Sequence, residues 1–235
     1  EDTAQQMAAG LALATFSLGL AVGPPCQSCT RPAAQPRQTD PTSIAVAGEP
    51  AIRIGHGYDI HRMAPREEAG QPLVVGGAVF DGSNAPDFEL GCVAHSDGDV
   101  IYHSVVDAIL GALTMPDIGQ LFPDNDPRIK GSNSEIFMEE AYSRMVGRGY
   151  EIGNVDVTLI CQKPKINVEH EGTKVKTIMS ENLSRLLRTD ESRVNVKART
   201  HEKVDSVGEC RAIECHVVLV MMHTGKAPTE GVVEA

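Results

Sequence analysis

Asp59 and His61 stand two residues apart in GHGYDIH (55–61), beside the apolar residues Ile54 and Ile60. In an extended strand, residues i and i+2 point to the same face, so one carboxylate and one imidazole would face the same spot. A second set lies in HSDGDVIYH (95–103), where His95, Asp99 and His103 are spaced by four. This stretch opens with helix-capping types and runs into VIYHSVVDAILGAL, so on a helix the three would form roughly one stripe. An Asp and two His suit a catalytic zinc, leaving its fourth position for substrate. Each part alone also has a plainer reading, as a satisfied polar group near a strand or a charge at a helix N-terminus.

Elements must hold these residues. Apolar and period-2 runs rich in Val and Ile predict strands over 51–58, 72–79, 152–161, 193–199 and 212–222. Helical periodicity covers 97–113, 134–148 and 173–188, and Gly149 sits where the second helix should stop. Residues 62–71 and 80–92 read as loops. The mixed order predicts an α+β fold, a mixed β-sheet with helices packed on one face. VTLICQ and IECHVVLVMM alternate poorly, as if both sheet faces were covered, which points to self-association through the sheets.

Charge and composition narrow the function. With 21 basic and 32 acidic residues the net charge is −11, which argues against nucleic-acid binding but not against a phosphorylated substrate. There is no Trp and there are few aromatics, so the core must be aliphatic. Cys92, Cys161, Cys210 and Cys215 are scattered and read as reduced thiols, those in apolar strand patterns buried. Cys26 and Cys29 form a C-x-x-C with no second pair, a weak signal for zinc.

Residues 3–39 contain no Asp or Glu but carry Arg31 and Arg37 among Ala, Ser, Thr, Pro and Gln. That composition resembles a plastid or mitochondrial transit segment. The apolar piece LALATFSLGLAV (11–22) is too short to span a bilayer and could be a signal-peptide core; no membrane association is expected. The expected division is a targeting segment over 1–50 and a catalytic domain over 51–235.

Five stretches, in order, resemble one family: RIGHGYDIHR (53–62), AHSDGDVIYH (94–103), DIGQLFPDNDP (117–127), GYEIGNVDVTLICQKPK (149–165) and VNVKARTHEKVDSVGE (194–209). The family is 2-C-methyl-D-erythritol 2,4-cyclodiphosphate synthase, in its plastid-type branch, and the resemblance covers essentially all of 52–223. It implies a homotrimer with active sites between subunits, plastid localisation, and formation of a cyclic diphosphate from 4-diphosphocytidyl-2-C-methyl-D-erythritol 2-phosphate with release of CMP. It implies Zn2+ on Asp59, His61 and His103, and a second ion, Mg2+ or Mn2+, on Glu202. His95 and Thr200 would hold the phosphates in the transition state. The substrate would also meet Asp59, His61, Ser96, Arg199, His201 and Glu202.

By the same resemblance the erythritol part belongs to Asp117, Ile118, Gly119, Phe122, Pro123, Asp124, Asn125 and Asp126. The cytidine belongs to Cys161, Gln162, Lys163, Pro164, Lys165, Ile166 and Asn167. Asp99, one turn before His103, either orients that ligand or caps the helix. Ser206 and Glu209 stand where many bacterial members carry an aromatic residue and an Arg, and Arg211 could supply the missing charge. Two other functions fit an Asp-His-His set. A zinc phosphohydrolase would use water as the nucleophile; a trimeric binding module would hold structural zinc and would want a fourth protein ligand.

Overall fold

The computed structural model describes residues 48–123 and 129–228. The expected targeting segment up to residue 47, with Cys26 and Cys29, lies outside them, as do Asp124, Asn125 and Asp126. The element order is β1 (Ile52–Pro65), α1 (Arg66–Ala69), β2 (Val74–Val75), β3 (Ala78–Val79), β4 (Leu90–Cys92), α2 (Val100–Ala112), α3 (Ile118–Leu121), α4 (Glu135–Gly147), β5 (Tyr150–Ile160), β6 (Glu169–His170), β7 (Thr173–Lys174), α5 (Val175–Leu187), β8 (Val194–Arg199), α6 (Asp205–Gly208) and β9 (Ala212–His223). A five-stranded sheet is ordered β4-β1-β9-β5-β8, with β5 and β8 parallel and the other neighbours antiparallel. The α+β expectation is met.

The predicted strand over 72–79 is instead a small hairpin of β2 and β3. Gly76 and Gly77 turn it at φ 57° and 73°, a left-handed pair that side-chain-bearing residues rarely adopt. Two stretches read as loops contain strand: β1 continues to Pro65 and β4 pairs with Met63–Pro65. The predicted first helix begins at Val100, because the Asp99 carboxylate accepts from the backbone N–H groups of Ile101 and Tyr102. His95 therefore precedes the helix, and the imagined stripe with Asp99 and His103 does not form.

Parity along β1 decides the site. Gly55, Gly57, Asp59 and His61 share the face that meets the helices, while Ile52, Ile54, His56, Tyr58 and Ile60 share the other. A Cβ at Gly55 would lie 1.8 Å from the Ala108 carbonyl oxygen, and one at Gly57 would lie 1.8 Å from that of Ser104. Only glycine lets α2 sit directly on the strand. That close approach is what delivers His103, next to Ser104, to the two residues further along β1.

Among the described residues nothing covers the opposite sheet face. Ile54 is 70% exposed, Ile52 60%, and Tyr58, Ile60 and Val218 between 43% and 45%. Helices α2, α4 and α5 cover the inner face with an aliphatic core: Val105, Ile109, Met138, Met179, Val157 and Leu219 are fully buried. Among the described residues no helix is long and apolar enough to cross a membrane.

Candidate active site

The end of β1 and the first turn of α2 bring Asp59, His61 and His103 together. Their ligand-type atoms lie within 4.8 Å of one another, and among the described residues no other cluster of this kind occurs. Both ring Nδ1 atoms converge on Asp59 Oδ2, at 3.0 Å from His61 and 3.1 Å from His103. The His61 Nδ1 is buried, and although close to the carboxylate it makes no hydrogen bond. A buried nitrogen left without a bond, beside a carboxylate and a second imidazole, fits a cation better than an empty gap. A closed structural site would want a fourth protein ligand, and the described residues supply three.

Electrostatics reinforces the cluster. Burial alone would push the Asp59 carboxyl up, but the His103 and His61 imidazoles hold it well below the usual carboxylate range. Burial disfavours a charged His103, yet the Asp59 carboxylate outweighs this and raises the imidazole above its ordinary 6.5. Asp59 is thus a carboxylate wherever the protein is folded at moderate pH.

The group opens into a cavity of about 330 Å³ that His95, Ser96, Ile118, Gly119 and Phe122 also line. Asp117 is exposed and bonds its own turn: its carboxylate accepts from the Gln120 N–H at 2.9 Å and from Gln120 Nε2 at 2.7 Å, capping α3. Pro123 follows Phe122 at the edge of the described residues.

A second cleft, of about 440 Å³, is lined by Cys161, Gln162, Pro164, Lys165, Ile166, Asn167, Arg199 and Thr200. Lys163 lies in the same loop. The two clefts share no lining residue. They sit at the same end of the sheet, since Asp59, Cys215, Leu159 and Ala198 lie in register across β1, β9, β5 and β8. Three strand spacings of about 4.8 Å separate the outer two. The candidate residues therefore fall into two groups, with the phosphate-type residues Thr200 and Glu202 apart from the Asp-His-His group.

The turn after β8 is built differently. Glu202 is exposed and hydrogen-bonds its neighbour, accepting from Thr200 Oγ1 at 3.2 Å. Glu202 and Lys203 both take left-handed backbone, at φ 51° and 62°, which is costly for such residues. His201 is held between Asp205, at 2.9 Å, and Glu214, at 3.3 Å. Arg211 is ion-paired with Glu209 at 2.6 Å, so its charge is already matched locally.

Two sequence expectations resolve plainly. Asp99 accepts from the N–H groups of Gly76, Gly77, Ile101 and Tyr102 at 2.7 to 3.2 Å and makes no side-chain bond to His103, so it caps and braces. Its burial and the Asp97 charge raise its pKa. Cys92, Cys161 and Cys215 are buried and free; burial lifts the first two to about 12. Sequence reasoning passed over Ser134 and Asp97. The His103 Nε2 lies 2.9 Å from Ser134 Oγ, which lies 2.5 Å from Asp97 Oδ1. A serine just before a predicted helix reads as a cap, which hid it.

The YgbB family model matches residues 52–222. Chloroplastic 2-C-methyl-D-erythritol 2,4-cyclodiphosphate synthase of Arabidopsis thaliana is 55% identical over 171 residues, covering 73% of this chain and 67% of that protein. The Proteus mirabilis synthase of the same name is 42% identical over 171 residues, covering 73% of this chain and 97% of its own. A solved Plasmodium falciparum IspF–CDP complex is 40% identical, with a TM-score of 0.60, covering 74% of this chain and 97% of that one.

Proposed function

The chain belongs to the YgbB family, and we propose that it turns 4-diphosphocytidyl-2-C-methyl-D-erythritol 2-phosphate into 2-C-methyl-D-erythritol 2,4-cyclodiphosphate and CMP. It is a cyclodiphosphate-forming lyase of isoprenoid biosynthesis. The carrying observation is the Asp59–His61–His103 group opening into the cavity lined by His95 and Ser96. The substrate's 2-phosphate attacks the β-phosphorus of its own CDP group; one P–O–P linkage forms and the bond to CMP breaks. Nucleophile and electrophile are both anionic, so the protein's task is to neutralise charge and align the ends.

Zinc held by Asp59, His61 and His103 would supply Lewis-acid charge on a phosphate oxygen. His95 and Ser96 line the same cavity, and they would donate to phosphate oxygens there. Ile118, Gly119 and Phe122 offer an apolar wall for the methylerythritol, and Asp117, Pro123, Asp124, Asn125 and Asp126 belong to the same sequence stretch. The second cleft, Cys161 to Asn167 with Arg199, takes the cytidine. Thr200, His201 and Glu202 reach the phosphates, and Glu202 holds Mg2+ or Mn2+.

The two clefts meet between subunits of a homotrimer. The uncovered face with Ile52, Ile54, Tyr58, Ile60 and Val218 supports this, because an apolar patch of that kind on a sheet favours a partner copy. The protein works in a plastid, the compartment named for its chloroplastic relatives. The segment before the catalytic domain is the targeting piece. Glu49 belongs with the domain: it bonds Arg53 at 2.9 Å and Arg148 at 3.0 Å, and these cations hold its pKa down at about 2.

Incubation with the diphosphate substrate, Zn2+ and Mg2+ tests the reaction. Cyclic product and CMP should appear in equal amounts by mass analysis. Inorganic phosphate instead would make the protein a hydrolase.

A further inference from the structure

We propose that Ser134 and Asp97 are positioning residues for the metal centre, forming a relay that fixes which nitrogen of His103 faces Asp59 and His61. This rests on the reading of Asp59, His61 and His103 as metal ligands. The direction of each hydrogen bond is forced by the groups present. Asp97 is surrounded by donors: its Oδ2 accepts from the Ser134 N–H at 3.1 Å and its Oδ1 from the Asp99 N–H at 3.2 Å. A carboxylate can only accept, so the Ser134 hydroxyl, 2.5 Å from Oδ1, donates to it. The Ser134 oxygen is then left to accept, and the donor at 2.9 Å is His103 Nε2. Nε2 therefore carries a hydrogen, and Nδ1 is the nitrogen that faces Asp59 and that gives up, when a metal binds, the hydrogen it otherwise donates to that carboxylate. That Nδ1 is the atom 3.1 Å from Asp59 Oδ2.

The same serine gives a second, independent sign. It stands at the N-cap of α4, where a serine hydroxyl ordinarily accepts from the helix's own N–H groups, yet it makes no such bond. Asn133 takes over, accepting from the Glu135 N–H at 2.8 Å. Ser134 is fully buried, so its hydroxyl has been given up by the helix and turned to His103 and Asp97. Ser96 Oγ, 3.2 Å from Nε2, is farther away and accepts from the Gly98 N–H. Phe137, one turn into α4, packs its ring 5.7 Å from that of His103. The first turn of α4 thus clamps the ring by one hydrogen bond and one face.

Metal-binding histidines that lose such a partner bind their ion about 10- to 100-fold less tightly. Zinc affinity, measured by competition with a chromophoric chelator on the full chain, should fall by that factor in Ser134→Ala and in Asp97→Asn. Ser134→Thr, which keeps the hydroxyl, should recover most of it. Proton–nitrogen-15 NMR of the metal-free protein should show a slowly exchanging His103 Nε2–H in the wild type, and rapid loss of that signal to solvent exchange in Ser134→Ala. A merely structural role would lower the melting temperature without moving affinity or the Nε2–H signal. Folded Ser134→Ala and Asp97→Asn proteins that bind zinc within twofold of wild type overturn the relay; if Ser134→Ala does not fold, Asp97→Asn alone decides. A wild-type protein that binds no zinc refutes the underlying reading instead, and the Nε2–H signal still judges the relay.

Discussion

The end of β1 and the turn after β8 carry the same kinds of side chain and are built in opposite ways. At β1 the His61 and His103 side chains are each only 12% exposed, Asp59 is 26% exposed, and a helix lies directly on the strand beneath them. In the turn, Glu202 is exposed and bonded to its own neighbour on a left-handed backbone. The first region is a finished arrangement made by one chain. The second presents Thr200 and Glu202 outward, where the proposed site would take its other half from a partner copy. Burial makes the first region intolerant of change and leaves the second tolerant in stability while sensitive in function.

The largest effect expected is from Gly57→Ala. The new Cβ would meet backbone, not a movable side chain, so α2 must lift from β1. Stability should fall by about 3 kcal/mol, with loss of the metal centre, whereas Glu202→Ala should stay within about 0.5 kcal/mol of wild type. Urea unfolding of both variants measures this. A Gly57→Ala protein of wild-type stability would erase the distinction between the regions.

Next come two substitutions that separate the regions by function. His103→Ala leaves two ligands and should lose zinc, with CMP release falling roughly 1,000-fold. Glu202→Gln should keep its zinc and lose roughly 100-fold in turnover at limiting Mg2+. If each site joins the two regions from different subunits, refolding the two variants together restores some sites. Random mixing should give about a quarter of wild-type activity, since each site draws its halves independently. Mixtures no more active than their parts would place both regions' work within one chain.

The smallest effect is a pH slope. Asp59 is held below its ordinary 3.8, so its contribution is present above that value and is lost as pH falls through the folded pKa. His103 is held above 6.5, so its contribution is present below that value and is lost as pH rises through the folded pKa. In the metal-free protein their pairing stabilises most between those two ordinary values. Zinc requires neutral imidazoles, so the loaded protein should gain in melting temperature from pH 6 to 8 while the metal-free one loses. Parallel slopes in the two forms would sink the pairing.

Much of the site could be read along the chain, for reasons that are local. Alternation in β1 alone puts Asp59 and His61 on one face, and the resemblance of five stretches to one family supplies the reaction. Spacing alone did not choose between His95 and His103, because both fit a helix with spacing of four; the family resemblance named His103. Asp99 settled that by starting α2 at Val100, and Gly55 and Gly57 settled it by letting α2 touch the strand beside His103. The strand predicted over 72–79 failed because two glycines in left-handed backbone turn it, which an apolar period cannot reveal. Ser134 was hidden because a serine before a helix has a local role ready for it. What a hydroxyl bonds when 31 residues separate it from its partner is fixed by packing, and no sequence spacing encodes that. The sequence by itself determined strand parity, aliphatic core and family. Only the tertiary structure decided what holds the His103 imidazole, and that Cys161, Pro164, Lys165, Arg199 and Thr200 line a cleft separate from the Asp-His-His cavity. Periodicity reports which face a residue is on, and not which other face it will meet.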